Sequence, residues 1–162
     1  MPSLSAFFTG IDHLFERGGA LSSTFLLEVD GLAIGRFSSV SGLKMEVSVE
    51  TYAEGGENGY EHKFPGRVTW DNLVFKRGIT HDNNLFNWFE MNVGPGLRMT
   101  NMVARHTAAI TMMSATGGRL RSWVVIDAFP IRWQGPDFDA DNDQLPTEEL
   151  EVAHHGFTSV TF

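Results

Sequence analysis

The chain has 162 residues, 42% of them apolar and 12% aromatic, which suffices for one hydrophobic core; with no linker-like stretch in view, a single β-domain is expected over residues 23–162. A net charge of −8 argues against a general nucleic-acid binder, because neutralising phosphates takes clustered Lys and Arg. There is no cysteine, which excludes a disulfide framework, a thiol nucleophile and a thiolate metal site, and neither a secretory leader pattern nor a run of about 18 apolar residues occurs, so assembly in the cytoplasm is expected.

Phe7, Phe8, Ile11, Leu14 and Phe15 recur at helical spacing before Gly18-Gly19, which predicts an amphipathic helix over 5–17 within an N-terminal extension, 1–22. Asp12, Glu16 and a single Arg17 do not make the basic polar face of a membrane-surface helix, so the segment reads as an arm packed on its own domain or on a partner. Residues 24–30 read as a strand, Asp30-Gly31 as a turn and 32–40 as the returning strand, where Gly35 signals a bulge or a close backbone approach.

Over 43–52, Leu43, Met45, Val47 and Val49 alternate with Lys44, Glu46, Ser48 and Glu50, the pattern of a strand with one face buried and one wet. The following loop, 53–66, carries Gly55-Gly56, Gly59 and Pro65-Gly66 among charged residues and is too long for a tight hairpin turn. Val68 and Trp70 resume the alternation, but Leu73 and Phe75 stand one residue out of phase. A bulge at Asp71-Asn72 would return them to the same face, so 68–77 is expected as one strand.

After Gly78, Thr80 or Asp82 offers an N-terminal cap, Gly94-Pro95-Gly96 a stop, and Leu85, Trp88 and Phe89 share one helical face suited to covering the sheet. Residues 102–116 and 119–133 read as strands joined at Gly117-Gly118; 124–128 is apolar on both faces, which predicts a central strand. Beyond Gly135-Pro136 and an acidic loop, 149–153 alternates with Leu150 and Val152 inward. These elements make an all-β domain with a short packed helix, an antiparallel orthogonal sandwich or barrel.

Candidate chemistry is sparse. Asp137, Asp139, Asp141 and Glu148 fall at positions 1, 3, 5 and 12 of a calcium-loop pattern, yet Asn142 replaces the glycine, Pro146 intrudes and the flanks read as strands, so no metal or other cofactor is expected. His154 and His155, adjacent on a strand, point to opposite faces. No GxSxG elbow occurs, and Glu54, Glu57 and Glu61 lie in a Gly-rich loop where solvation is the ordinary role, so no catalytic residue and no enzyme are expected.

The ordered series SGL, the alternating strand, YAEGG, HKFPG, NLVFKRGIT, WVVIDAFPIRW, GPDFDAD and EELEVAHHGF resembles the tail tube protein family of contractile phages and contractile injection systems over about 25–157; the N-terminal extension departs from that pattern. The resemblance implies a hexameric ring-former whose rings stack around a lumen, with the sheath, baseplate and spike as partners, a protein effector or DNA as cargo, no membrane in the resting state, and residence in a phage tail or a released tail-like particle. It implies an inter-ring contact loop of Glu54, Gly55, Gly56, Glu57, Asn58, Gly59, Tyr60, Glu61, His62 and Lys63. It also implies lumen-bordering strands carrying Lys44, Glu46, Ser48, Glu50, Thr69, Asn72 and Lys76. Its alternatives are a tube initiator ring at the baseplate and a ring carrier like those of type VI secretion.

Overall fold

The computed structural model describes residues 24–56, 59–93, 104–136 and 145–161. The expected helix 5–17 lies outside them, as do Glu57, Asn58, Gly94-Pro95-Gly96 and the three loop aspartates Asp137, Asp139 and Asp141.

Strands β1 (Thr24–Val29) and β2 (Leu32–Phe37) form a hairpin around Asp30-Gly31, both with positive φ. Leu27 pairs with Gly35 but Glu28 with Ala33, which leaves Ile34 as the extra residue of a bulge. Gly35 is also a close approach: a Cβ there would lie 2.5 Å from the Arg77 guanidinium. Both expectations for that glycine hold. The returning strand is not continuous, however. At Ser38 the chain changes partner, and Ser39–Ser41, β3, pairs with β6 (Leu73–Gly78) where β2 pairs with β1. A sheet that curls back on itself needs such a switch at its seam.

The remaining strands are β7 (His106–Met113), β8 (Arg119–Gln134), β9 (Thr147–Ala153) and β10 (Phe157–Val160). With those already named they make one antiparallel sheet in the order β2-β1-β7-β8-β9-β6-β3, β10 pairing with β8 beside β9. The sheet rolls until β2 meets β6, where the Phe37 and Phe75 rings lie 5.1 Å apart and Arg77 sits over Phe37. Leu27, Phe37, Phe75, Ile110, Val125, Leu150 and Val152 fill the interior, so the inward placement of Leu150 and Val152 is as expected. β8 is central, also as expected, but not apolar-buried on both faces. Val125 is fully buried and Ile126, next along the strand, is exposed by alternation, while the bulge at Asp127, φ 55°, opposite β7 returns Ala128 to the interior.

Helix α1 (Asn84–Asn92) bridges the end of β6 and the start of β7 and packs on β8 and β2. Asp82 accepts the Asn84 N–H at 2.9 Å, Leu85 and Trp88 are buried and Phe89 is partly buried, so the helix covers the barrel by the face the spacing predicts. Trp88 Nε1 and Asn92 Oδ1 are buried without a hydrogen-bond partner among the described residues, an arrangement that costs about 1–3 kcal/mol per group. Beneath the helix, buried Arg77 donates to Glu148 Oε1 at 2.5 Å and to the Asp82 carbonyl at 3.2 Å, while Trp133 Nε1 donates to Glu148 Oε2 at 3.1 Å. Both oxygens of the carboxylate at the twelfth position of the calcium pattern are therefore committed inside the protein.

Strands β4 (Met45–Tyr52) and β5 (His62–Trp70) stand apart as a two-stranded ribbon, paired with each other and with no further strand among the described residues. Three expectations change here. The loop is shorter than 53–66, since pairing resumes at His62 and continues through Lys63, Phe64 and Pro65; a proline is tolerated because each strand of a two-stranded ribbon is an edge. Residues 68–77 are not one bulged strand: β5 ends at Trp70 and β6 begins at Leu73 in the other sheet, so the phase slip at Asp71-Asn72 is a corner between sheets. Finally, the face of β4 expected to be buried is exposed along its whole length.

Candidate assembly interface

Alternation along the ribbon sorts its side chains onto two faces. Met45 pairs with Trp70, Val47 with Val68 and, beyond a bulge, Val49 with Pro65, which builds an apolar stripe that ends at the Thr51–Lys63 row. Glu46 pairs with Thr69 and Glu50 with Phe64 on the other face, where Ser48 accepts the Arg67 N–H at 2.9 Å. Met45 is 62% exposed, Val47 47%, Val49 59% and Val68 44%, so the stripe meets water in the single chain. Monomeric proteins rarely leave a continuous apolar surface of this kind uncovered.

The ribbon is fixed at its foot. Gly42, at φ 88°, brings the chain so close to the corner that a Cβ would lie 1.9 Å from the Asn72 carbonyl oxygen, which leaves no room for any other residue. Trp70 sets its ring edge-on to Phe157 at 5.0 Å and packs over Gly156. His154 Nε2 donates to the Asp71 carbonyl at 2.9 Å, and its Nδ1 accepts the Gly156 N–H at 3.0 Å, which fixes the neutral tautomer. Burial, the largest influence, lowers the His154 pKa from its ordinary 6.5. His155 faces away, 3.1 Å from Asp127, but the two histidines lie in the connection between β9 and β10 and not on a strand as expected.

Of the residues singled out from the resemblance, Glu46, Ser48, Glu50 and Thr69 share the polar face of the ribbon, and Lys44 joins them through a 2.7 Å ion pair with Glu46. Asn72 and Lys76 lie elsewhere. They flank a ladder on the barrel wall in which Asn72 donates to Glu151 at 2.8 Å, Arg132 bridges Glu151 at 2.9 Å and Glu149 at 2.8 Å, and Lys76 meets Glu149 at 2.8 Å. Hydrogen bonding to Asn72, then to Arg132, holds the Glu151 carboxyl below its usual range.

Glu54, Gly55, Gly56, Gly59, Tyr60 and Glu61 lie at the free end of the ribbon; His62 and Lys63 belong to β5. His62 pairs with Glu54 at 3.1 Å, and the rings of Tyr60, His62 and Phe64 follow one another at 5.2 and 6.3 Å. This aromatic run and the uncovered valine stripe are the features that sequence reading missed. Pro65 within a strand pattern is the signal that marks an edge and could have exposed them. Among the described residues no group of three or more His, Cys, Asp or Glu is placed to hold a metal ion, and no helix is long and apolar enough to cross a membrane.

No curated protein matches the sequence. Solved structures do. A chain of the extended sheath-tube complex of the extracellular contractile injection system PVC is 23% identical, with all of both chains covered and a TM-score of 0.74. A chain of the anti-feeding prophage baseplate is 20% identical over 89% of this chain and 95% of that one, at 0.69. A chain of the PVC sheath/tube terminator is 25% identical over 85% and 93%, also at 0.69. The family model described as T4-like virus tail tube protein gp19 matches residues 21–158, and the chain belongs to that family of tail tube proteins.

Proposed function

We propose that this tail tube protein is the structural subunit of the inner tube of a contractile phage tail or contractile injection system, that it catalyses nothing, and that it assembles as hexameric rings stacked around a cargo-passing lumen. The observation that carries this reading is the ribbon: an apolar stripe of Met45, Val47, Val49 and Val68 fixed at its foot and covered by nothing among the described residues. Burying such a stripe is worth roughly 25 cal/mol per Å² of apolar surface, and a neighbouring copy offers that cover while pairing the ribbon's open edges. The polar face with Glu46, Ser48, Glu50 and Thr69 then borders the lumen, and the free end, from Glu54 to Glu61, reaches the adjacent ring. Sheath, baseplate and spike proteins are the other partners, and assembly precedes release from the cytoplasm.

A second reading, the initiator ring that couples spike to tube, draws on the likeness to an anti-feeding prophage baseplate chain. Electron microscopy of the purified protein separates the two. Long tubes are expected for the bulk subunit and isolated rings for an initiator. Monomers that persist at high concentration would sink both.

A further inference from the structure

The ribbon and α1 leave the barrel from opposite ends of the same strand. The ribbon enters β6 at Leu73, and the helix follows its other end at Gly78. Beside the helix, where β1 turns into β2, lies an open cavity of about 430 Å³. Its walls are apolar, with Leu32 and Met91 exposed at the rim and Ile34 further in. Trp88 also lines it and carries the buried indole N–H that finds no acceptor among the described residues. Asp30, paired with His106 at 2.5 Å, adds a polar border. A volume in the range of about 300–1,000 Å³ with apolar walls and a few polar groups suits a ring that carries one polar atom.

The chain has two tyrosines, Tyr52 and Tyr60, and both stand exposed at the free end of the ribbon. Tyr60 lies past the last paired row, in the connection that β4 and β5 carry roughly 25 Å from the foot at about 3.3 Å per residue. A head-to-tail contact needs two different complementary patches on one surface, and this chain carries an aromatic end on the ribbon that joins one end of β6 and an apolar recess beside the helix that follows the other. We infer that Tyr60 of one copy inserts into the cavity beside α1 of a second copy, its ring between Leu32, Ile34 and Met91 and its hydroxyl donating to the Asp30 carboxylate at the polar border. The inference rests on the stacked-ring reading and gives that contact its acceptor.

The test exploits the absence of cysteine. Tubes of a Tyr60→Cys/Leu32→Cys variant are oxidised and run on a denaturing gel, alongside each single variant. A ladder of linked multimers from the double variant, with nothing beyond dimers from the singles, is the expected result. Tubes that form normally yet give no ladder overturn the inference and leave the tube reading standing, whereas a parent protein that forms neither rings nor tubes removes both. Because the double variant changes two exposed sites, Tyr60→Ser alone gives an independent readout: the protein concentration needed for tube growth should rise at least tenfold at an unchanged monomer melting midpoint. Tube growth unaffected by Tyr60→Ser overturns the inference as well.

Discussion

β9 and β4 read almost alike. In one, Leu150 and Val152 alternate with Glu149 and Glu151; in the other, Met45, Val47 and Val49 alternate with Glu46, Ser48 and Glu50. Yet Leu150 and Val152 are buried in the barrel between β6 and β8, while every residue of β4 is exposed. Period-two alternation reports that a strand has an apolar face. It does not say what covers that face, and here one strand is covered by its own chain while the other stands exposed.

That difference can be broken most severely from the barrel side. Arg77→Met leaves the Glu148 carboxylate buried without its cation and should destabilise the isolated subunit by about 3–5 kcal/mol in urea unfolding. Much of that loss should return in Arg77→Met/Glu148→Leu, since two apolar groups in place of a buried ion pair are tolerated. An unchanged midpoint in the single variant would show that the barrel does not depend on the pair.

The ribbon should answer in the opposite way. Val47→Thr with Val68→Thr changes two cross-strand neighbours on the exposed stripe, so the monomer's unfolding free energy should move by no more than about 0.5 kcal/mol while tube formation is lost. Large destabilisation of the monomer with assembly intact would mean that the stripe is covered by its own chain after all.

The smallest effect concerns the joint between the two regions. The folded pKa of His154 is lowered, so its contribution to stability is present above the ordinary value of 6.5 and lost as pH falls through the lowered folded value. Its bonds to the Asp71 carbonyl and the Gly156 N–H suit the neutral ring, so the protection factors of amides around the ribbon's foot, which correct for the intrinsic slowing of exchange in acid, should fall below about pH 6.5. In His154→Gln that pH step should disappear. An identical pH profile in the variant would assign the effect to another group.

Much of the barrel was legible because its signals are local. The Asp30-Gly31 turn, the helix face of Leu85, Trp88 and Phe89, the glycine-relieved approach at Gly35 and the inward pair Leu150 and Val152 each follow from residue type and spacing. The partner change at Ser38 and the corner at Asp71-Asn72 were not, because both depend on where a sheet curls, and a one-residue slip in phase looks the same whether it marks a bulge or a change of sheet. Of the candidate interface, Glu46, Ser48, Glu50 and Thr69 share one face of the ribbon, whereas Asn72 lies at the corner and Lys76 on β6, because 68–77 passes from one sheet to the other.

The placement of ribbon and helix at opposite ends of β6 gives any head-to-tail stack a direction. In such a stack each added ring would present the same end as the one before it, which would leave the two extremities chemically unlike, one offering projecting aromatic fingers and the other recesses beside helices. A protein that begins such a stack must therefore match one of these surfaces and a protein that ends it the other. No single capping surface can do both, and length control must act at whichever extremity is still accepting subunits.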